Sequence, residues 1–157
     1  MARQSKASVP YATATSGAAA REEIIKLLRR FNCESVGFMD DFSDRSVLLA
    51  FTHRGRQVQL RASANGWAAM YLKAHPWTRR SRAGKLAHEA KALAQGVIAI
   101  NSILRDWVKG QITAVECGML SFEAVFMPHI ITNDGRSVLE RMSEAKLLPA
   151  PSEAALT

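Results

Sequence analysis

A chain of 157 residues, 48% hydrophobic and 22% charged, can bury one real core without disulfide or metal staples. Its two cysteines, Cys33 and Cys117, exclude a disulfide framework, and their spacing is not that of a metal motif. No apolar run reaches the ~18 residues of a membrane span, and "MARQSKASVPYATATSGAAA" lacks the apolar stretch of a signal peptide. A cytoplasmic location with no membrane partner is the expectation.

Residues 1–18 are rich in Ala, Ser and Thr without periodicity and read as a flexible N-terminal arm. Ile24, Ile25, Leu27, Leu28 and Phe31 then form an apolar stripe, with Glu22 and Glu23 early and Arg29 and Arg30 late, which predicts a helix over 18–31. Three strands follow, at 35–39, 46–52 and 56–62. If Arg54-Gly55 is a two-residue hairpin loop, His53 faces Arg56, Phe51 faces Val58, Leu49 faces Leu60 and Val47 faces Ala62, all on one side. The opposite side then carries Thr52 with Gln57, Ala50 with Gln59, and Leu48 with Arg61.

Trp67, Met70 and Tyr71 can share one side of a short helix that Pro76 ends. From about Arg82 to Cys117 a long helical pattern carries Leu86, Ala90, Leu93, Val97, Ile100, Leu104 and Trp107, widened by Ile98, Ile103, Val108, Ile112 and Val115. Gly96 and Gly110 are its weak points, and its apolar girth exceeds what three strands can cover, which predicts a homo-oligomer. Ser121 opens a short helix over 122–130 with Val125 and Phe126 facing in, Asp134-Gly135 marks a turn, and 149–157 is a Pro/Ala tail. The fold class is α+β: an N-terminal helix, a three-stranded antiparallel meander, a long central helix and short C-terminal helices, in one domain over 19–148.

Chemistry is sparse. No glycine-rich phosphate loop and no zincin spacing exist, so no catalytic residue, metal site or cofactor is assigned. Asp40, Asp41 and Asp44 read as turn formers, Glu116 as a partner of Lys109 or Arg105 or as an exposed helix end, and Cys117 as a small core residue rather than a nucleophile for His129. Charge is more informative. Residues 45–91 hold ten Lys/Arg against Glu89 alone, while the rest of the chain carries no basic excess. Such asymmetry is the footprint of a polyanion partner. Arg54, Arg56, Arg61, Arg79, Arg80, Arg82 and Lys85 are the candidate phosphate contacts, Gln57 and Gln59 candidates for sugar or base edges, and Trp67 or Trp77 for base stacking.

The segments "IIKLLRRFNCESVGFMDD", "VLLAFTHRGRQVQLR" and "ITAVECGMLSFEAVFMPHIITNDGRSVLERM" resemble a group of small bacteriophage-encoded proteins of unassigned function. Their shared "VExGxxxFExxF…DG" signature corresponds to Val115, Glu116, Gly118, Phe122, Glu123, Phe126, Asp134 and Gly135. The order of three strands and a long helix is also similar in topology to RecT/Redβ-type single-strand annealing proteins, which hold DNA in a basic groove and assemble into rings or filaments. These resemblances imply a phage origin and a place in the host-cell cytoplasm. The expectation is a non-enzymatic nucleic-acid-binding accessory protein of phage DNA recombination or replication, binding or annealing single strands, DNA ahead of RNA. The alternatives are a small phage effector that binds and inhibits a host protein, and a metal-dependent nuclease using Asp40, Asp41, Asp44 or Glu116.

Overall fold

The computed structural model describes residues 8–152. Helix α1 (Gly17–Arg30), strands β1 (Ser35–Asp41), β2 (Ser46–His53) and β3 (Arg56–Ser63), then helices α2 (Asn65–Ala74) and α3 (Lys85–Glu116) follow in order. The C-terminal part holds α4 (Phe122–Phe126), a 3-10 turn (Met127–His129) and α5 (Val138–Glu144). The α+β class and element order are as the periodicities predict.

The sheet is antiparallel in the order β1-β2-β3, and its hairpin register is the predicted one, with His53 opposite Arg56, Phe51 opposite Val58 and Leu49 opposite Leu60. The two-residue loop works because Arg54 and Gly55 both take positive φ, +50° and +75°, the conformation that matches the right-handed twist of the flanking strands. Val47, Leu49, Phe51, Val58 and Leu60 are buried against Ile24 and Leu28 of α1 and Ile100, Leu104, Val108 and Ile112 of α3. Phe122 and Phe126 of α4 close the core, the latter edge-on to Phe51 at 5.5 Å between ring centroids. No residue of the opposite sheet face enters either hydrophobic cluster. That face presents Ser35, Gly37, Met39, Leu48, Ala50, Thr52, Gln57, Gln59 and Arg61, exposed or half-buried.

Helix α3 runs unbroken through Gly96 and Gly110. At Gly96 the missing side chain has a purpose: a Cβ there would meet the Ala64 carbonyl oxygen at 3.1 Å and Trp67 Cε3 at 3.3 Å. The glycine therefore seats α2 against α3. The predicted stripe is shifted at its start, where Leu86 is 82% exposed and burial begins only at Ala92. On α2 Trp67 and Ala68 are buried, whereas Met70 is exposed.

The described part of the predicted flexible arm, residues 8–16, is instead a packed strap. Val9 is buried with Trp67 and Ala99, the Pro10 carbonyl accepts from Trp67 Nε1 at 2.9 Å, and the Tyr11 hydroxyl donates to Asp106 at 2.7 Å. Gln95 of α3 donates to the Ala14 carbonyl at 2.9 Å. Composition hid this because the anchors are single residues within an Ala/Thr-rich run. The strap, α1 and α2 cover part of the apolar surface of α3, while Leu86 and Ile103 of the same helix stay exposed. Among the described residues no helix is long and apolar enough to cross a membrane.

A buried polar network ties three elements together. Asn101 of α3, 2% exposed, donates to the Val97 carbonyl at 2.7 Å and accepts from Arg21 Nε of α1 at 2.8 Å. The Arg21 guanidinium continues as a fork onto Asp40 of β1 and lies over the Phe38 ring at 5.1 Å. Its hydrogen bonds to Asp40 hold that carboxyl below its usual range.

Candidate nucleic-acid interface

The loop between α2 and α3 supplies the densest group of candidate contacts. Trp77 folds back onto it, donating from Nε1 to the Ala83 carbonyl at 2.9 Å. Thr78 and Ser81 close a turn, with Ser81 N–H on the Thr78 carbonyl at 2.9 Å and the Ser81 hydroxyl accepting from Thr78 N–H at 3.2 Å. This turn pushes Arg79, Arg80, Arg82 and Lys85 outward, and all four are exposed. None has an ion-pair partner among the described residues. Gly84 offers α3 no side-chain cap and its first turn holds no acid, so the positive end of the helix dipole adds to the same field.

The other candidates lie elsewhere. Arg54 and Arg56 sit at the hairpin end, beside Glu116 at the opposite terminus of α3. A 32-residue helix is about 46 Å long from first to last residue, so the basic segment forms two separate ends rather than one groove. Gln57, Gln59 and Arg61 share the open sheet face, where Arg61 donates to Ser46 Oγ at 3.0 Å. No aromatic side chain belongs to that face. Trp67 is removed from the stacking candidates: it is 6% exposed, donates to Pro10 and stacks on Tyr71 at 5.4 Å. Trp77 alone keeps partial exposure.

No family model, curated protein or solved structure matches this chain.

At the hairpin end the structure brings together residues the sequence did not group. A cleft of about 790 Å³ is lined by Arg30 of α1, His53 and Arg54 of the hairpin, Arg56 of β3, Glu116 of α3 and Glu123 of α4. Arg30 pairs with Glu116 at 2.7 Å and Arg56 with Glu123 at 2.8 Å. Glu116 thus bonds across the fold to α1, in place of the Lys109 or Arg105 on its own helix. Four residues of the quoted signature, Val115, Glu116, Phe122 and Glu123, meet at this cleft; Asp134 serves a turn with Thr132 and Arg136 elsewhere.

His53 is the least expected member. It is 7% exposed, its ring packed in a three-ring cluster with Phe31 at 4.5 Å and Phe122 at 4.8 Å, themselves 6.3 Å apart. Its Nδ1 faces Cys33 Sγ at 4.0 Å. Burial, with a further push from Glu34, raises the Cys33 thiol to about 11, so it stays S–H and is no nucleophile. Burial also lowers the His53 pKa, helped by the Arg54 charge and opposed by Glu34 and Glu123. A neutral imidazole accepting from S–H at Nδ1 carries its own hydrogen on Nε2. Among the described residues no buried side-chain nitrogen or oxygen lacks a partner. Nε2 has no hydrogen-bond partner among the described residues, so it is not fully buried, and His53 is among the residues that line the cleft. Strand alternation could have found this residue, since it continues the Val47, Leu49, Phe51 row.

The nuclease alternative loses its acidic cluster. Asp40 is bonded to Arg21, and Asp41 accepts from the Ser43 hydroxyl and from the backbone of Ser43 and Asp44. Among the described residues no group of three or more His, Cys, Asp or Glu is arranged to hold a metal ion. Cys117 donates to the Ala114 carbonyl while His129 lies edge-on to Trp107 at 5.8 Å, so each has its own neighbour.

Proposed function

We propose that this chain is a non-enzymatic nucleic-acid-binding accessory protein of phage DNA recombination or replication, preferring single strands and DNA. It engages the phosphate backbone through the α2–α3 loop and the first turns of α3. The observation that carries this reading is the unpaired, exposed set Arg79, Arg80, Arg82 and Lys85 at the uncapped start of α3. Unmatched cations release condensed counterions on contact with phosphate. Trp77, beside the set, supplies the one remaining stacking surface in the basic segment. The phage assignment is supported by the signature resemblance alone. Arg54 and Arg61, at the far end and on the open face, are secondary contacts for a strand long enough to span the molecule.

The test is anisotropy of labelled single- and double-stranded oligonucleotides titrated with wild-type chain and with Arg79→Ala/Arg80→Ala. Binding at low salt that drops at least tenfold in the double variant supports the proposal. No binding at low salt, or the same affinity in the variant, removes it. Retention of one stoichiometric partner from nuclease-treated host lysate would instead favour the effector reading.

A further inference from the structure

The cleft at the hairpin end is separated from the basic loop by the length of α3, and it contains a different kind of arrangement. Two of its arginines are paired with carboxylates, but those pairs are half-exposed, with side-chain exposures of 59% and 38% for Arg30 and Glu116 and 53% and 47% for Arg56 and Glu123. Such pairs hold little energy and exchange partners readily. The Arg54 guanidinium, on the two-residue turn, forms no ion pair among the described residues, and the Arg54 backbone N–H donates to the Glu34 carboxylate at 2.9 Å. His53 adds an imidazole to the cleft, packed against the Phe31 and Phe122 rings.

We propose that this cleft is a binding site for a phosphate monoester, held by Arg54, Arg30 and Arg56 and by the Nε2–H of His53. The Arg54 guanidinium, which no carboxylate pairs, supplies the first contact for an anion. Guanidinium forks fit phosphoryl oxygens, and a terminal phosphate presents three free oxygens to donors arriving from α1, the turn and β3. An internal phosphodiester presents only two and would have to thread a cleft backed by Phe31 and Phe122. Glu116 and Glu123, released from their arginines, are acceptors for amino groups on the remainder of the ligand. The volume suits a small ligand. The monoester can come from a free nucleotide or from the phosphorylated end of a strand. The site stands on the cleft alone and does not rest on the role given to the α2–α3 loop.

Calorimetric titration of the full chain with a nucleoside 5′-monophosphate, the matching nucleoside, and one oligonucleotide with either a 5′-phosphate or a 5′-hydroxyl tests it. The monophosphate is expected to bind and the nucleoside not. Arg54→Asn, which keeps a residue tolerant of positive φ, should weaken monophosphate binding at least tenfold, as should Arg30→Gln. Arg79→Ala/Arg80→Ala should leave it unchanged. A tenfold preference for the phosphorylated oligonucleotide over its hydroxyl counterpart and over the monophosphate identifies a strand end. A monophosphate that binds as tightly as the phosphorylated oligonucleotide identifies a free nucleotide. Absence of monophosphate binding at millimolar concentration with no difference between the oligonucleotides overturns the site, as does monophosphate binding indifferent to both Arg54→Asn and Arg30→Gln.

Discussion

Gly96 and Gly110 lie on the same helix and invite the same substitution, yet their surroundings differ. An added Cβ at Gly110 meets nothing within 4 Å, while at Gly96 it would press on the Ala64 carbonyl at 3.1 Å and on Trp67 at 3.3 Å. Glycine to alanine inside a helix ordinarily stabilises by about 0.5–1 kcal/mol. Gly110→Ala should gain that amount, raising Tm by about 2–3 °C for a chain of this size. Gly96→Ala has the same propensity gain, so the difference between the variants isolates packing. Overpacking against backbone costs about 1–3 kcal/mol, which places Gly96→Ala below Gly110→Ala by that margin and near or below wild type. Urea denaturation followed by circular dichroism, with m-values compared, measures both. Equal stabilisation of the two variants would show that α2 does not bear on α3 at Gly96.

Other consequences follow from the core. His53 and His129 are both held neutral by burial, so the unfolded chain binds protons that the folded chain refuses. Their stabilisation is complete above pH ~6.5 and is lost as pH falls below that value; the lowered aspartates Asp40, Asp106 and Asp134 act only below ~4. The urea midpoint should fall between pH 7 and 5, and His53→Gln should flatten that fall; an unchanged slope in this variant would show that His53 is not held neutral. Phe126→Ala empties a fully buried ring site and should lower stability by about 3–5 kcal/mol in the same assay. Val9→Asp sets a charge against Trp67 and Ala99 and should cost about 1–3 kcal/mol with a red-shifted tryptophan emission; an unshifted spectrum would mean the strap does not cover Trp67.

The sheet was legible because alternation and the Arg54-Gly55 turn fix register locally, down to Phe51 facing Val58. The long helix was legible from its period, but not the end at which its burial begins, because Leu86 looks like Leu104 until partners are known. The strap was invisible, since Val9, Pro10 and Tyr11 act through residues some 57 to 95 positions away. The candidate site was half legible. Charge clustering along the chain located Arg79 to Lys85, but adjacency in sequence is not adjacency in space, and Arg54 and Arg56 lie a helix length away. Arg30 with Glu116 and Arg56 with Glu123 span 86 and 67 positions, so nothing local announces the cleft.

The central claim, that Arg79, Arg80, Arg82 and Lys85 meet a nucleic-acid backbone, is tested most directly by the salt dependence of oligonucleotide binding. Each phosphate contact on a single strand contributes about 0.7 to the slope of log K against log salt. Replacing all four cations by alanine should therefore reduce that slope by about 2.8, with the fold unchanged by circular dichroism. A folded quadruple variant with the wild-type slope would contradict the account.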